Sequence, residues 1–590
     1  MDEQKANSKM VTKLMFRLLP VQILLAAVGA VNGIVSSFFA SNYVGIDAMS
    51  AVGLYSPIHM LLNAISMMLM GGSVILCGKY IGKNQQEKLR NVFSLDMVLS
   101  TLLALAFTIL FLLLGAFDLT GFFTRDAVVR PLFDRYLIGQ AIGIVPLMLG
   151  NQLAAFLSME NKGGLTTTAS LIYIAVNVVL NFLFVKVLRL EAFGLALASS
   201  LGMWVFMGVQ ARHFLSGASH MKLRTKRLPW RETGEILRVG IPGALSNGYQ
   251  TVRGLILNWL LEAFVGTVGI SAFAAANNLL GIVWALPTGM LAVSRMLISV
   301  SIGEEDRQTL TDVMRVMFKR FLPLMGDVCA LIIVCAVPLT RIFYRDPGES
   351  VYFMTVCGLR LLPLCMPLSI IYMHFVCYGQ ASGKQGYVHL LSLLDGVVCV
   401  AVFAAVMIRV MGVNCVYLAS LFNGVVTTLV IIGYAWLKKR RFPRKMDELM
   451  VIPDDFGAAQ SERMDLSVKS IEGVVLVAEQ VQRFCLERGV DGRRAYLAGL
   501  AMEEMAGNIV EHGFAKDNKT HSVDVRVVHK NDNVILRIKD DCVPFDPGER
   551  QQFAEGGDII KNIGIRMVFK IARDVQYQNI LGLNVLTIRM

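Results

Sequence analysis

Charge is scarce in these 590 residues: Asp, Glu, Lys and Arg make up 17% of the chain and hydrophobic residues 55%, whereas a soluble domain is roughly a quarter charged. That scarcity excludes an ordinary water-soluble enzyme. The ten cysteines include no CxxC pair and no Cys/His cluster at metal-ligand spacing, and eight of them, Cys77 to Cys415, lie in apolar sequence. Neither a structural zinc nor a disulfide framework is expected. No GxxxxGK(S/T) sequence is present, which excludes an ATP-driven pump of the P-loop kind. The first apolar run is too long for a removable signal peptide and lacks its small-residue cleavage site.

What is present is a series of apolar runs of bilayer length. They predict a polytopic α-helical membrane protein with about twelve helices near residues 18–43, 50–77, 92–116, 134–158, 165–187, 192–213, 240–262, 270–300, 319–343, 353–378, 386–409 and 413–437. The net charge of +12 is unevenly spread: residues 447–590 hold 23 of the 44 acids but only 18 of the 56 bases. The positive charge lies between apolar runs, at Lys79, Lys83, Lys88 and Arg90, at Lys222, Arg224, Lys226 and Arg227, at Arg315, Lys319 and Arg320, and from Lys438 to Lys445. Lipid headgroups and insertion topology account for it, and no nucleic-acid partner is expected. The positive-inside rule puts residues 1–17 and the polar tail in the cytosol of a plasma-membrane protein.

The apolar part carries a weak internal repeat, about 18–213 and 235–440. Leu18-Leu19-Pro20 opens one half and Gly240-Ile241-Pro242 the other, short turns follow at Val44-Gly45 and Val265-Gly266, and small-residue helices begin at Gly194 and Val416. Repeats of this kind enclose a central site between two lobes. Tyr43 to Leu54, Ile236 to Pro242, Val176 to Phe182 and Leu297 to Glu304 resemble the multidrug and toxic compound extrusion (MATE) transporters over residues 15–440. The resemblance implies alternating access, with a small-molecule substrate exchanged for Na+ or H+. Flippases for lipid-linked saccharides share the architecture.

Relatives in that family place a coupling carboxylate in the first helix or the seventh. Ser36 and Gln250 stand at those positions here, which removes the carboxylates that the family's usual coupling mechanism relies on. Charges inside apolar runs cost about 2.5 to 3.5 kcal/mol each to insert, which singles out Asp327, Asp395, Arg253, Arg295 and Arg360, with Asp96 nearer a helix end. Two readings stay open. The aspartates neutralise arginines as structural pairs, or they form an ion or substrate site in the second lobe, where the arginines would suit an anionic cargo. His59 and His374 read as packed helix histidines, and the 31 methionines as lipid-facing or packing residues.

Residues 441–461 read as a linker, and 462–590 as an independent two-layer α/β sandwich. Its expected elements are a strand at 464–468, helices at 471–488 and 493–512, a hairpin around 531–533, a helix at 558–573 and a strand at 583–589. Glu504, Asn508 and His512 recur every fourth residue, on one helical face; an amide oxygen there can ligate a hard cation and a carboxylate can accept a proton. With Asp540-Asp541-Cys542-Val543-Pro544-Phe545-Asp546-Pro547 and Asn562-Ile563-Gly564, the tail resembles the GHKL (histidine-kinase-like) ATPases, closest to the anti-sigma-factor serine kinases. That resemblance implies ATP and Mg2+ as cofactors, with Glu504 the catalytic carboxylate, Asn508 the magnesium ligand and Asp540 the adenine reader. It places His512, Phe545 and Gly564 around the nucleotide and implies an anti-anti-sigma-like (STAS) protein as partner. Cys542 and Asn562 stand where the family has glycine, which restricts backbone approach to the nucleotide and leaves a nucleotide-free interaction domain as the alternative. No helix with a phospho-accepting histidine precedes the domain. Three functions compete: an exporter with a regulatory ATP-binding tail, a saccharide-lipid flippase with the same tail, and a membrane sensor whose tail is the kinase.

Overall fold

The computed structural model describes residues 3–39, 43–44, 46–122, 128–216, 219, 221–224, 228–341, 344, 346–458, 460–514, 521–530, 533–544, 547 and 563–590. Among the described residues, twelve helical rods follow one another before the tail. They are Glu3–Phe39, Ile46–Gly82, Gln86–Ala116, Val129–Met159, Gly163–Asn181 prolonged by Phe182–Val187, Glu191–Leu215, Thr233–Phe264, Thr267–Val283 with Ala285–Gly303, Arg307–Val316 leading through Leu322–Val334 to Ala336–Thr340, Ser350–Leu361 with Met366–Ala381, Gln385–Leu393 with Cys399–Met411, and Val413–Lys439. Among the described residues ten helices are long and apolar enough to cross a membrane, so the chain is a multi-pass membrane protein. The expected rods are all there. The first begins earlier than its apolar run: Met10, Val11, Leu14, Met15 and Leu18 recur at helical spacing and are buried, and Phe16 meets the Phe321 ring edge-on at 5.7 Å. The polar segment of residues 1–17 is therefore largely an extension of the first helix.

The two lobes converge on the side of the tail, where glycines let backbones touch. A Cβ on Gly240 would lie 1.9 Å from the Met68 carbonyl oxygen, and one on Gly303 2.2 Å from that of Lys79. Both approaches join the second helix of the first lobe to helices of the second.

The linker differs from a free tether. Met450 and Ile452 are buried in the same core cluster as the bundle, and Lys384 Nζ donates to the main-chain oxygens of Met450 and Val451 at 3.0 and 2.8 Å. Arg307 adds hydrogen bonds to Pro453 and Asp447. Met446, Leu449 and Phe456 of the same stretch pack against that cluster too, so the linker is strapped to the bundle.

The tail is a five-stranded antiparallel sheet, order β1-β2-β3-β5-β4, formed by Arg463–Val468 (β1), Val523–Lys530 (β2), Asn533–Asp540 (β3), Asp574–Ile580 (β4) and Leu583–Arg589 (β5). Helices Ile471–Glu487, Gly492–Asn508 and Ile563–Ile571 cover one face. Strand alternation sorts the side chains: Val525, Leu536, Ile538 and Ile588 enter a core with Val481, Met502 and Val568, while Arg526, Arg537 and Lys539 point to the other face, which rests on the transmembrane bundle. Sequence reasoning missed β4, although Val575 and Tyr577 alternate with polar residues. It pairs with β5 through a two-residue turn, Leu581-Gly582.

Candidate functional site

In the second lobe, Asp395 sits on a π-helical turn, Leu394–Val398, the kind of local widening that recurs at functional positions. Its side chain is buried and Oδ1 accepts from Asn423 Nδ2 at 2.7 Å, while Arg253 Nη1 donates to the Asp395 main-chain oxygen at 3.4 Å. The structure thus brings Asp395, Arg253 and Asn423 together from the eleventh, seventh and twelfth rods. Asn423 was missed by sequence reasoning, because nothing marks one amide among many in an apolar helix. Asp327 is exposed, as are Arg360 and Gln250, so a buried Asp327 pair is not formed. Arg295 is half-buried, and its Nε has no hydrogen-bond partner. Ser36 lies on the first helix, with its side chain outside the described residues. In the first lobe Asp96 is fully buried and accepts from Ser73 Oγ at 2.8 Å. The two histidines are packed as expected: His374 is held between Ser294 Oγ and the Ile370 carbonyl, both at 2.7 Å, and His59 lies beside Asn63.

The second site is in the tail. Glu504 and Asn508 project half-buried from helix Gly492–Asn508. The helix then widens into a π turn, Ile509–Gly513, on which His512 is exposed. Asn508 Nδ2 donates to the Glu504 carbonyl at 2.7 Å, so the amide oxygen is the end left to ligate. Gly564 meets Glu504 directly: a Cβ there would lie 1.8 Å from Oε2. The carboxylate thus rests against the backbone that opens helix Ile563–Ile571, where amides suit phosphate.

Asp540 ends β3 with its carboxylate buried, and Oδ1 accepts from Asn584 Nδ2 at 2.7 Å and from the Cys542 amide at 3.0 Å. Burial pushes this carboxyl above the usual range, against those hydrogen bonds. Cys542 occupies its glycine-like position without strain, since it is not among the residues with positive φ. Its Sγ fills the space beside Gly513, 3.2 Å from where a Cβ would be. Phe545 and Asn562 lie outside the described residues. A magnesium nucleotide fits what is present: a free amide oxygen at Asn508, a buried carboxylate at Asp540, and a Gly564 backbone that a Cβ would obstruct.

Comparison with known proteins agrees with both halves. Residues 23–183 and 242–406 match the MatE family, and residues 469–590 match the histidine kinase-like ATPase domain. A probable multidrug resistance protein NorM of Halalkalibacterium halodurans is 23% identical over 356 residues, which is 58% of this chain and 74% of that protein. The namesake of Bacillus subtilis is 24% identical over 261 residues, 43% of this chain and 55% of its own length. Among solved structures, MATE in complex with MaL6 superposes with a TM-score of 0.66 at 20% identity, covering 74% of this chain and 97% of that one. A MOP superfamily transporter from Pyrococcus furiosus, described as having a binding pocket of reverse polarity that suggests a different function, gives 0.65 at 21% identity, covering 74% and 96%. With the matched segments spanning more than half of its length, the chain belongs to the MatE family and carries a histidine kinase-like ATPase domain at its C-terminal end.

Proposed function

We propose that the bundle is a secondary active exporter of small molecules, an antiporter of xenobiotics driven by Na+ or H+, and that the tail is its cytosolic regulatory ATP-binding domain. The observation that carries the transport reading is Asp395: a buried carboxylate on a π turn, between Asn423 and Arg253, in a chain whose first and seventh helices offer Ser36 and Gln250. A carboxylate in that setting exchanges a proton or a cation as the lobes alternate, and it is a better candidate than the exposed Asp327. The relatives named for multidrug resistance support the cargo class.

Magnesium ATP, when bound, supplies the phosphoryl group. Asn508 would hold the cation, Asp540 would accept from the adenine amino group, and the Gly564 backbone would approach the phosphates. Glu504 accepts the proton of a serine hydroxyl on an anti-anti-sigma-like (STAS) partner. The second reading, a lipid-linked saccharide flippase, is favoured by Arg253 and Arg295 in the same lobe, since cationic side chains suit an anionic cargo.

The test is flux into proteoliposomes, with Na+ and H+ gradients applied separately and with ATP present or absent on the tail side. Gradient-driven efflux of organic cations supports the exporter. Movement of a lipid-linked saccharide with no gradient dependence replaces it by the flippase, and ligand binding without flux by the sensor.

A further inference from the structure

The soluble domain touches both lobes, and it does so where they converge. Its basic sheet face holds the second lobe at the acidic loop after Gly303. Lys539 pairs with Glu304 at 2.9 Å and Asp306 at 3.3 Å, Arg526 pairs with Asp306, and Arg463 donates to Gln308 at 2.9 Å. Its opposite end holds the first lobe. Asp541, the residue after the adenine reader, pairs with Lys13 of the first helix and with His521. The β4–β5 turn inserts beside them. Leu581 is 2% exposed and belongs to the bundle's core cluster, and Gly582 packs against Arg17 and Asn161, which are themselves hydrogen-bonded at 2.9 Å.

The turn's chemistry is informative. Leu581 has φ +54° and Gly582 φ +85°, positive at both central positions as a type I′ hairpin requires. Leucine is a poor residue there, because a left-handed conformation crowds its Cβ against the following carbonyl oxygen. Asn-Gly is the favoured pair. A strained leucine persists because the bundle buries it, which identifies the turn as a docking element rather than a connection.

We propose that the soluble domain is a clamp across the two lobes. The β2–β3 face grips the second lobe, Asp541 and Leu581 grip the first, and together they hold the tail-side seam of Gly240 and Gly303 closed. Nucleotide at Asp540 sets the strength of the first-lobe grip. The route is short, because Asp540 is bonded to Asn584 of the same hairpin and adjoins Asp541 in the chain. The clamp stands on the contacts alone; its control by nucleotide rests on the ATP-binding reading above.

The experiment places spin labels at Glu87 in the first lobe and Gly386 in the second, both exposed on the tail side, in the full-length protein, and measures their separation by electron–electron resonance. Lys13→Ala is expected to raise the ratio of open to closed populations, by about fivefold at most for an exposed ion pair. Leu581→Asn supplies the better turn residue but loses the buried leucine, and is expected to raise the ratio at least about tenfold while magnesium ATP still binds. If neither substitution lengthens the distance, the clamp is wrong. ATP should shift the populations of the wild-type chain and leave those of Asp540→Ala unmoved. If ATP binds without shifting them, nucleotide control is overturned. If ATP does not bind, the ATP-binding reading fails, and the nucleotide-free distances in the two docking variants still decide the clamp.

Discussion

Replacing Asp306 by Asn should loosen the grip on the second lobe without disturbing the helix that Asp306 begins. The carboxylate is fully buried. It pairs with Arg526 and with Lys539 across the contact, and Oδ1 also accepts from the Thr309 amide at 2.9 Å as the cap of helix Arg307–Val316. Asn caps as well as Asp, so the substitution removes the charge alone. Breaking a buried ion pair costs about 3 to 5 kcal/mol, but Glu304 still faces Lys539 and Asp465 still faces Arg526. About 2 kcal/mol remains, some thirtyfold in affinity. The assay introduces a specific protease site after Ala458, cleaves the chain, and measures the dissociation constant of the freed tail from the bundle. An affinity within twofold of wild type would refute the account of the contact. Burial works to raise the Asp306 carboxyl, yet Arg526 and Lys539 hold it well below the usual range. Its contribution is therefore complete above the unfolded value of about 4 and is lost only as pH falls below that, so the wild-type affinity attributable to this group should be flat from pH 8 to 5.

Gly564→Ala should displace the Glu504 carboxylate that rests where the new Cβ would lie; turnover should fall by about a hundredfold or more, the share of a positioned acid or base, with a smaller loss of nucleotide affinity, and equal losses in kcat and affinity would contradict it. Burial raises Asp524 on β2 to about 6, so the folded domain holds its proton to a higher pH than the unfolded chain and loses stability as pH rises from about 4 to 6. Asp524→Asn should remove that slope and raise tail stability at pH 7 by about 3 kcal/mol, read from denaturant unfolding at the two pH values; a slope that persists would place its origin elsewhere. Asp395→Asn should abolish gradient-driven flux with expression intact, and normal flux would move the coupling site to another carboxylate, such as the buried Asp96 of the first lobe.

The fold was legible because bilayer and sheet each impose a period on the sequence. Twelve apolar runs became twelve rods, and the inward residues of β3, Val534, Leu536 and Ile538, alternate with outward ones. What escaped was set by contacts rather than by period. The β4 strand is half polar, with Asp574, Gln576, Gln578 and Asn579 among its seven residues. The linker reads as a tether until Met450 and Ile452 find the bundle, and the polar start of the first helix is helical because its apolar residues pack on Arg307–Val316.

The nucleotide site divides along the same line. Glu504, Asn508 and Asp540 stand out in the sequence because residue type and spacing mark them as a candidate site, whereas the π turn that carries His512 is announced by no spacing. The acidic run Glu304, Glu305 and Asp306 stands out against a strongly basic membrane half, yet it carries meaning only once alternation has turned Arg526, Arg537 and Lys539 to the outer face of the sheet. That face would otherwise expose a row of cations with no function in the domain's own core. Its charges and the loop's charges explain each other, and a domain that merely trailed from the last helix would need neither. The fusion of the two halves is therefore written in the sheet face turned away from the tail's own helices, and in a leucine that its own hairpin would not choose.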